Sequence, residues 1–216
     1  MVADDSRHAR LIDSLARGLQ SVRPLSSLWR PAAVWIALLA AATIVLAKLS
    51  DLSALDHRIA LVPDVGWAIL GSGLTSVLAG VAAFQTNVPG RAARWSLLPL
   101  PALLFWLAVS GLGCLGAEAN GHPATLRSAL RECLPFLLLV SLPLAAVLVI
   151  LLRRGFPPSP DRTAALAGLA AAAGAATLLN FFHPFDVAAI DLLVHGLAVA
   201  GIVVASRSLG RRWLGG

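Results

Sequence analysis

Six long apolar segments dominate this sequence and constrain its fold more than any other feature. Each is close to the roughly 17–25 residues that a helix needs to cross the hydrocarbon core of a bilayer. Across the chain 58% of residues are hydrophobic and 13% are charged, whereas a soluble domain has roughly 45–50% apolar and about 25% charged residues. The sequence therefore predicts an all-α, polytopic membrane protein. The predicted spans are residues 31–48, 65–84, 96–114, 134–152, 163–181 and 187–206.

Basic residues predict the orientation of these spans, because cytoplasmic loops carry an excess of Lys and Arg. Thirteen of the 17 Lys and Arg residues lie in the N-terminus, in the loops after the second and fourth spans, and in the C-terminus. We therefore expect both termini in the cytoplasm of a bacterial cell, and the spans in its inner membrane. Anionic lipid headgroups account for the net charge of +6 without a nucleic-acid partner. The four basic residues expected on the opposite side are Lys48, Arg58, Arg127 and Arg131.

The N-terminal segment, residues 1–30, is predicted to precede a six-helix membrane domain (31–206) and a basic cytoplasmic tail (207–216). It carries five arginines and three aspartates, so it does not mimic the charge of DNA. Its apolar stripe at helical spacing fits a groove on a partner protein, or lies on the membrane surface with its arginines on anionic lipid. The stripe consists of Leu11, Ile12, Leu15, Leu19 and Val22.

Small residues recur at every fourth position in two of the predicted spans. Small side chains allow helix backbones to approach closely in lipid. We interpret both stripes as helix contacts within one bundle, the alternative being a contact between two copies of the chain. The stripes are Ser72, Ser76 and Gly80 in the second span, and Gly168, Ala172 and Ala176 in the fifth.

The two cysteines, Cys114 and Cys133, are predicted to lie at the outer ends of the third and fourth spans. Outside the cytoplasm such a pair can form a structural disulfide. In the reduced state the two thiolates can bind a soft metal such as copper or zinc, with His122 and His183 as candidate further ligands. The residues alone leave three alternatives open: a sensor or metal site, a disulfide, and inert buried thiols.

Asp191 and His195 lie four residues apart in the sixth span, so they share one face of the helix. Burying an ionisable group in a membrane is costly unless the group is paired. The two side chains either form a neutralised pair that fixes the helix to its neighbours, or bind a ligand or handle protons. Asn180, His183 and Asp186 precede them at the same end of the bundle.

Enzyme motifs are missing from the sequence. It contains no phosphate-binding loop, nucleophile elbow, zinc-protease helix or dinucleotide fingerprint, and we expect no catalytic activity. From the residues alone, one function that fits is that of a small permease or metal-handling membrane protein with an outer Cys/His cluster.

The order of several motifs resembles a known family. The sequence reads LIDSLARGLQSVRPL before the first span, AAFQTNVPGRAARW after the second, and RECLPFLLLVSLPLA at the start of the fourth. It continues as LLRRGFPPSPDRTAALAGLAAAAGA into the fifth span and FFHPFDVAAIDLLVH into the sixth. Together with the paired outer cysteines, these motifs are similar to the six-span membrane anti-sigma factors of proteobacteria known as the negative regulator of sigma F family. The resemblance covers nearly the whole chain.

This resemblance implies a regulator that holds an extracytoplasmic-function sigma factor inactive at the inner membrane. The implied signal is a metal or an oxidant that acts from outside during stress. Cys114 and Cys133 would be the sensing pair, and the N-terminal segment would contact the sigma factor. His183, Asp186 and His195 would be the matching polar residues. The implied partners are the sigma factor and membrane lipid, with a copper or zinc ion as signal rather than as resident cofactor.

The charge asymmetry makes the topology testable. Reporter fusions at Arg30, Gly90, Gly155 and Gly216 are expected to report the cytoplasm, and fusions at Asp56 and Gly121 the periplasm. If an external label reached the loop around Gly90 in intact cells, the predicted topology would be wrong.

Overall fold

The computed structural model describes residues 2–18, 29–61, 63–119, 134–182 and 189–215. These parts of the chain contain eight α-helices and no strand, which confirms the predicted all-α fold. A 3-10 helix, Ala93–Leu97, precedes the fifth α-helix. The α-helices are α1 Val2–Arg17, α2 Trp29–Leu49, α3 Leu52–Leu61, α4 Pro63–Thr86, α5 Leu100–Ala119, α6 Leu134–Leu152, α7 Pro160–Leu179 and α8 Ala189–Leu214.

Six of these helices, α2 and α4 to α8, are long and apolar enough to cross a membrane. They correspond one to one to the six apolar segments. The start of α7 illustrates how the sequence determines where one of these helices begins. Pro160 occupies the first turn of the helix. Backbone N–H groups in this turn have no acceptor within the helix, so proline loses no hydrogen bond there, and its fixed φ suits the helix.

Helix α7 lies at the centre of the bundle. Of its span 83% is buried inside the protein, against 61% for α4 and between 11% and 17% for α2, α5, α6 and α8. More than half of its residues are Ala or Gly, so its surface is nearly free of long side chains and its neighbours can approach its backbone. The outer helices bury few of their apolar side chains and leave the others partly or fully exposed on the perimeter, which suits a bundle surrounded by lipid.

Glycines mark two close approaches of helices in the core. A Cβ atom on Gly168 would lie 2.7 Å from the Cβ of Ser206 on α8, and one on Gly80 would lie 2.6 Å from the indole of Trp35 on α2. Trp35 is fully buried, and its Nε1 donates a hydrogen bond to the carbonyl of Ser76 at 3.4 Å. Both predicted stripes of small residues therefore lie at contacts within one chain.

Hydroxyl groups join α4 to α7 along most of the length of the two helices. Ser76 Oγ donates to the carbonyl of Ala170 at 2.7 Å. Thr177 Oγ1 donates to Ser72 Oγ at 2.9 Å, and Thr163 Oγ1 donates to Thr86 Oγ1 at 3.2 Å. Such bonds hold helices together where water is scarce, at roughly 0.6–2 kcal/mol each.

Two features of the fold were not predicted from the sequence. The loop after the first span contains a helix, α3, whose start is capped by Asp51: its Oδ1 accepts the backbone N–H groups of Ser53 and Ala54 at 3.0 and 3.1 Å. In addition, α8 continues from Ser206, the predicted end of the sixth span, to Leu214. Most of the predicted basic tail is thus helical, and Leu214 is buried in the core beside α7.

The contact between Gly168 and Ser206 generates a prediction about stability. Gly168→Ala should destabilise the bundle, because the new Cβ would lie 2.5 Å from Ser206 Oγ and 2.7 Å from its Cβ. Overpacking typically costs about 1–3 kcal/mol, so the purified protein should unfold at a lower temperature in detergent. Gly196→Ala is the matched control, since a Cβ there meets no atom within 4 Å. Equal unfolding temperatures for the two variants would contradict the close packing of α7 against α8.

Candidate functional site

One end of the bundle brings together the ends of α4, α6 and α8 and the start of α7; we call it the basic end. Asn87 Nδ2, just after α4, donates to the carbonyl of Leu152 at 2.9 Å. Arg153 Nε donates to the carbonyl of Trp213 at 3.3 Å. Arg211 pairs with Asp161 across 3.2 Å between the exposed edges of α8 and α7. These contacts connect all four helices at a single face.

The basic end carries exposed arginines, which lie in the loops after α4 and α6, in the first turn of α7 and near the end of α8. In the described parts of the chain, the opposite end holds only Lys48 and the half-buried Arg58, which donates to the carbonyl of Asn180 at 3.4 Å. The described members of the two groups on the bundle itself thus lie at its opposite ends, whereas Arg23, Arg127 and Arg131 lie outside the described residues. The exposed arginines of the basic end are Arg91, Arg94, Arg153, Arg154, Arg162, Arg207, Arg211 and Arg212.

Helix α1 presents the predicted apolar stripe. Leu11, Ile12 and Leu15 are 55%, 65% and 63% exposed, and every side chain from position 8 to 18 is exposed. The stripe is therefore not covered by the bundle. Leu19 and Val22, the last two members of the stripe, lie outside the described residues.

A cavity of about 730 Å³ lies at the opposite end. Its walls are the end of α2, the helix α3, and Phe181 and Phe182 after α7, with the polar side chains of Asp51, His57 and Arg58 in the lining. The hydroxyl of Ser53 and the backbone N–H groups of Ala54 and Ser53 lower the pKa of the Asp51 carboxyl. Asp51 followed by Ser53 is a helix-start signal that would have predicted α3 from the sequence.

Most of the predicted sensing residues fall outside the described structure. Cys133, His122, His183 and Asp186 lie in undescribed segments, and nothing is described of the side chains of Cys114 in α5 and Asp191 in α8. His195 is a half-buried residue of α8. Among the residues whose side chains the structure describes, no group of three or more His, Cys, Asp or Glu could hold a metal ion. The metal, disulfide and buried-thiol alternatives for the cysteines therefore stay predictions.

Most of this chain matches a known protein family. The sequence profile of the family described as negative regulator of sigma F matches residues 15–215. The match begins near the end of α1 and includes all six long apolar helices. No curated protein and no solved structure is significantly similar to the chain.

Proposed function

This chain belongs to the negative regulator of sigma F family, and from that premise we propose a specific role for it. It is an inner-membrane anti-sigma factor that holds an extracytoplasmic-function sigma factor inactive at its basic end. It releases that sigma factor when a metal or an oxidant acts on the opposite end. The match over residues 15–215 is the observation that carries the proposal.

The basic end faces the cytoplasm in this proposal. Its eight exposed arginines follow the charge bias of cytoplasmic loops, and they are placed to interact with the anionic headgroups of the inner leaflet. A sigma factor is a cytoplasmic protein, so its binding surface has to be on this side. Helix α1 and the loops of the basic end are the parts of the chain that a cytoplasmic partner can reach.

Helix α1 is the first contact that we propose for the sigma factor. A short helix with three exposed large apolar residues on one face suits a hydrophobic groove, and each leucine buried there contributes roughly 1.5–3 kcal/mol. Because the family match begins only at Leu15, the support for this contact comes from the exposed stripe rather than from the family. The same stripe can lie on lipid, and an exchange between lipid and sigma factor would constitute a switch.

Cys114 and Cys133 are the sensing pair in this proposal. Helix α5 starts after the loop that follows α4 at the basic end, so its last turns, which include Cys114, lie towards the opposite end. We propose that Cys133, which precedes α6 in the sequence, joins Cys114 there. Thiolate is both the metal ligand and the form that oxidants attack. Copper, zinc or an oxidant would then draw the ends of α5 and α6 together, with His183 as a further candidate ligand and Asp186, Asp191 and His195 as the neighbouring polar residues.

A signal at one end affects the other only if the bundle has two packings a few kcal/mol apart. Helix α7 contacts α2, α4, α6 and α8, and the cavity at the opposite end borders the residues that follow it. It is the element best placed to couple the two ends. Pro143 inside α6 removes one backbone hydrogen bond and is a point where that helix can bend.

The sigma contact is tested by co-purification. Tagged full-length chain, isolated in mild detergent from its own cells after crosslinking, is expected to carry a sigma factor identified by mass spectrometry. Leu15→Asp should reduce the recovered sigma factor about tenfold or more, which corresponds to one lost leucine anchor, while Arg17→Asp, on the opposite face of α1, should not. A wild-type chain that carries no sigma factor would contradict the proposed function and favour a permease or metal-handling protein.

The cysteines are tested by their effect on the response. Cys114→Ser and Cys133→Ser should each abolish or alter induction of the sigma factor's target genes by metals and oxidants, with the membrane level and sigma binding unchanged. The double variant should resemble either single variant, because one thiol alone cannot form the bridge. Wild-type induction in both single variants would remove the cysteines from the mechanism and leave His183, Asp186 and His195 as the candidates.

A further inference from the structure

Resting on the proposed function, we propose that the loop between α6 and α7, residues 153–159, is a second contact for the sigma factor. Phe156 is its apolar anchor, and Arg153 and Arg154 lie beside it. The occupant we infer is a surface of the sigma factor that offers an apolar recess bordered by acidic side chains.

Phe156 is the most exposed large apolar side chain among the described residues, at 77%. A loose loop would explain such exposure, but this loop is tightly held. Gly155 packs so closely against the side-chain amide of Asn87 that a Cβ there would clash with it. That amide in turn holds the carbonyl of Leu152 at 2.9 Å, and Pro157 on the other side is buried. The ring is thus presented outward by a rigid support.

The loop lies over the middle of the basic end rather than at its lipid-facing edge. It leads into α7, the central helix, and it is packed between α4 on one side and α8 on the other. Asn87 supplies the contact with α4. Arg153 contacts the carbonyl of Trp213, and the carbonyl of Pro160 lies 2.7 Å from the Cβ position of Gly210, both on α8. With the basic end facing the cytoplasm, as proposed, a ring beside the start of the central helix can be reached by a cytoplasmic protein, and we infer that such a partner buries it.

The surroundings of Phe156 are cationic. Arg153 and Arg154 are exposed just before it, and Arg162 is exposed in the first turn of α7. Aromatic and arginine side chains on a preorganised support are the residue types that most often dominate binding energy at protein interfaces. Positive charges at the rim favour an acidic partner surface and speed up its approach. An exposed ring among arginines is therefore complementary to an acidic surface of the sigma factor that contains an apolar recess.

Helix α1 can engage the same sigma factor molecule. Ala32 and Trp35 pack in the core cluster that contains Leu152 and Leu214, so α2 starts at the basic end. Only residues 18–28 separate α1 from α2, and a chain of that length reaches at most about 40 Å. Two linked contacts on one partner strengthen each other through a high effective concentration.

The test measures the affinity of the sigma factor recovered by co-purification for the full-length chain in discs of phosphatidylcholine, a lipid without net charge. Phe156→Ala should weaken binding about tenfold or more, as loss of an interface anchor does, with an unchanged unfolding temperature because the ring is exposed. Leu139→Ala is the control: this leucine is 74% exposed on the lipid-facing surface of α6, and its replacement should leave the affinity unchanged. Arg154→Glu should also weaken binding, most strongly at low salt.

The outcomes separate this proposal from the function on which it rests. If Leu15→Asp weakens binding and Phe156→Ala does not, the loop is not a sigma contact, and only the second contact is overturned. If Phe156→Ala instead reduces the association of the chain with anionic vesicles and leaves sigma binding intact, the ring is a membrane anchor and the proposal is wrong. If the wild-type chain fails to bind the sigma factor, the proposed function falls together with both contacts.

Discussion

The close approach of α7 to its neighbours is the contact on which the rest of the structure depends. A helix made mostly of Ala and Gly contributes little apolar side-chain area, so its stability in the bundle comes from dense packing and from hydroxyl bonds such as that of Ser76 to Ala170. In lipid the hydrophobic effect does not drive helices together, so the attraction between them has to come from close packing of their backbones. The positions of α4 and α8, and hence the layout of the basic end, follow from this packing.

The sequence predicted the large-scale architecture well because membrane helices obey simple constraints of length and apolarity. The six long apolar helices and the contacts of Gly168 and Gly80 could be anticipated. The end of α8 could not, because Arg207, Arg211 and Arg212 suggest a solvated tail, whereas Leu214, two residues after the last of them, is buried against the core. A hydropathy average over this segment combines the exposed arginines with the buried leucine, so it does not predict where the helix ends.

The candidate site was less predictable for a similar reason. Exposed leucines on α1 were readable from their helical spacing, but the significance of Phe156 depends on Asn87, a residue 69 positions earlier in the chain. Only the fold shows that this asparagine supports the loop. In the sequence Phe156 stands between a glycine and a proline and looks like an ordinary loop residue. The cavity beside α3 is likewise formed by residues from both halves of the sequence.

The composition of α7 also limits how proteins of this kind can diverge. Along this helix side-chain volume limits which residues fit, since a larger residue at a position such as Gly168 would separate the backbones, while a change of polarity matters less wherever a small hydroxyl can replace a methyl group. The residues most resistant to change are therefore the chemically plainest ones in the chain. Exposed side chains at the two ends, such as Phe156, meet no such limit, so they can be replaced without separating the helices of the bundle.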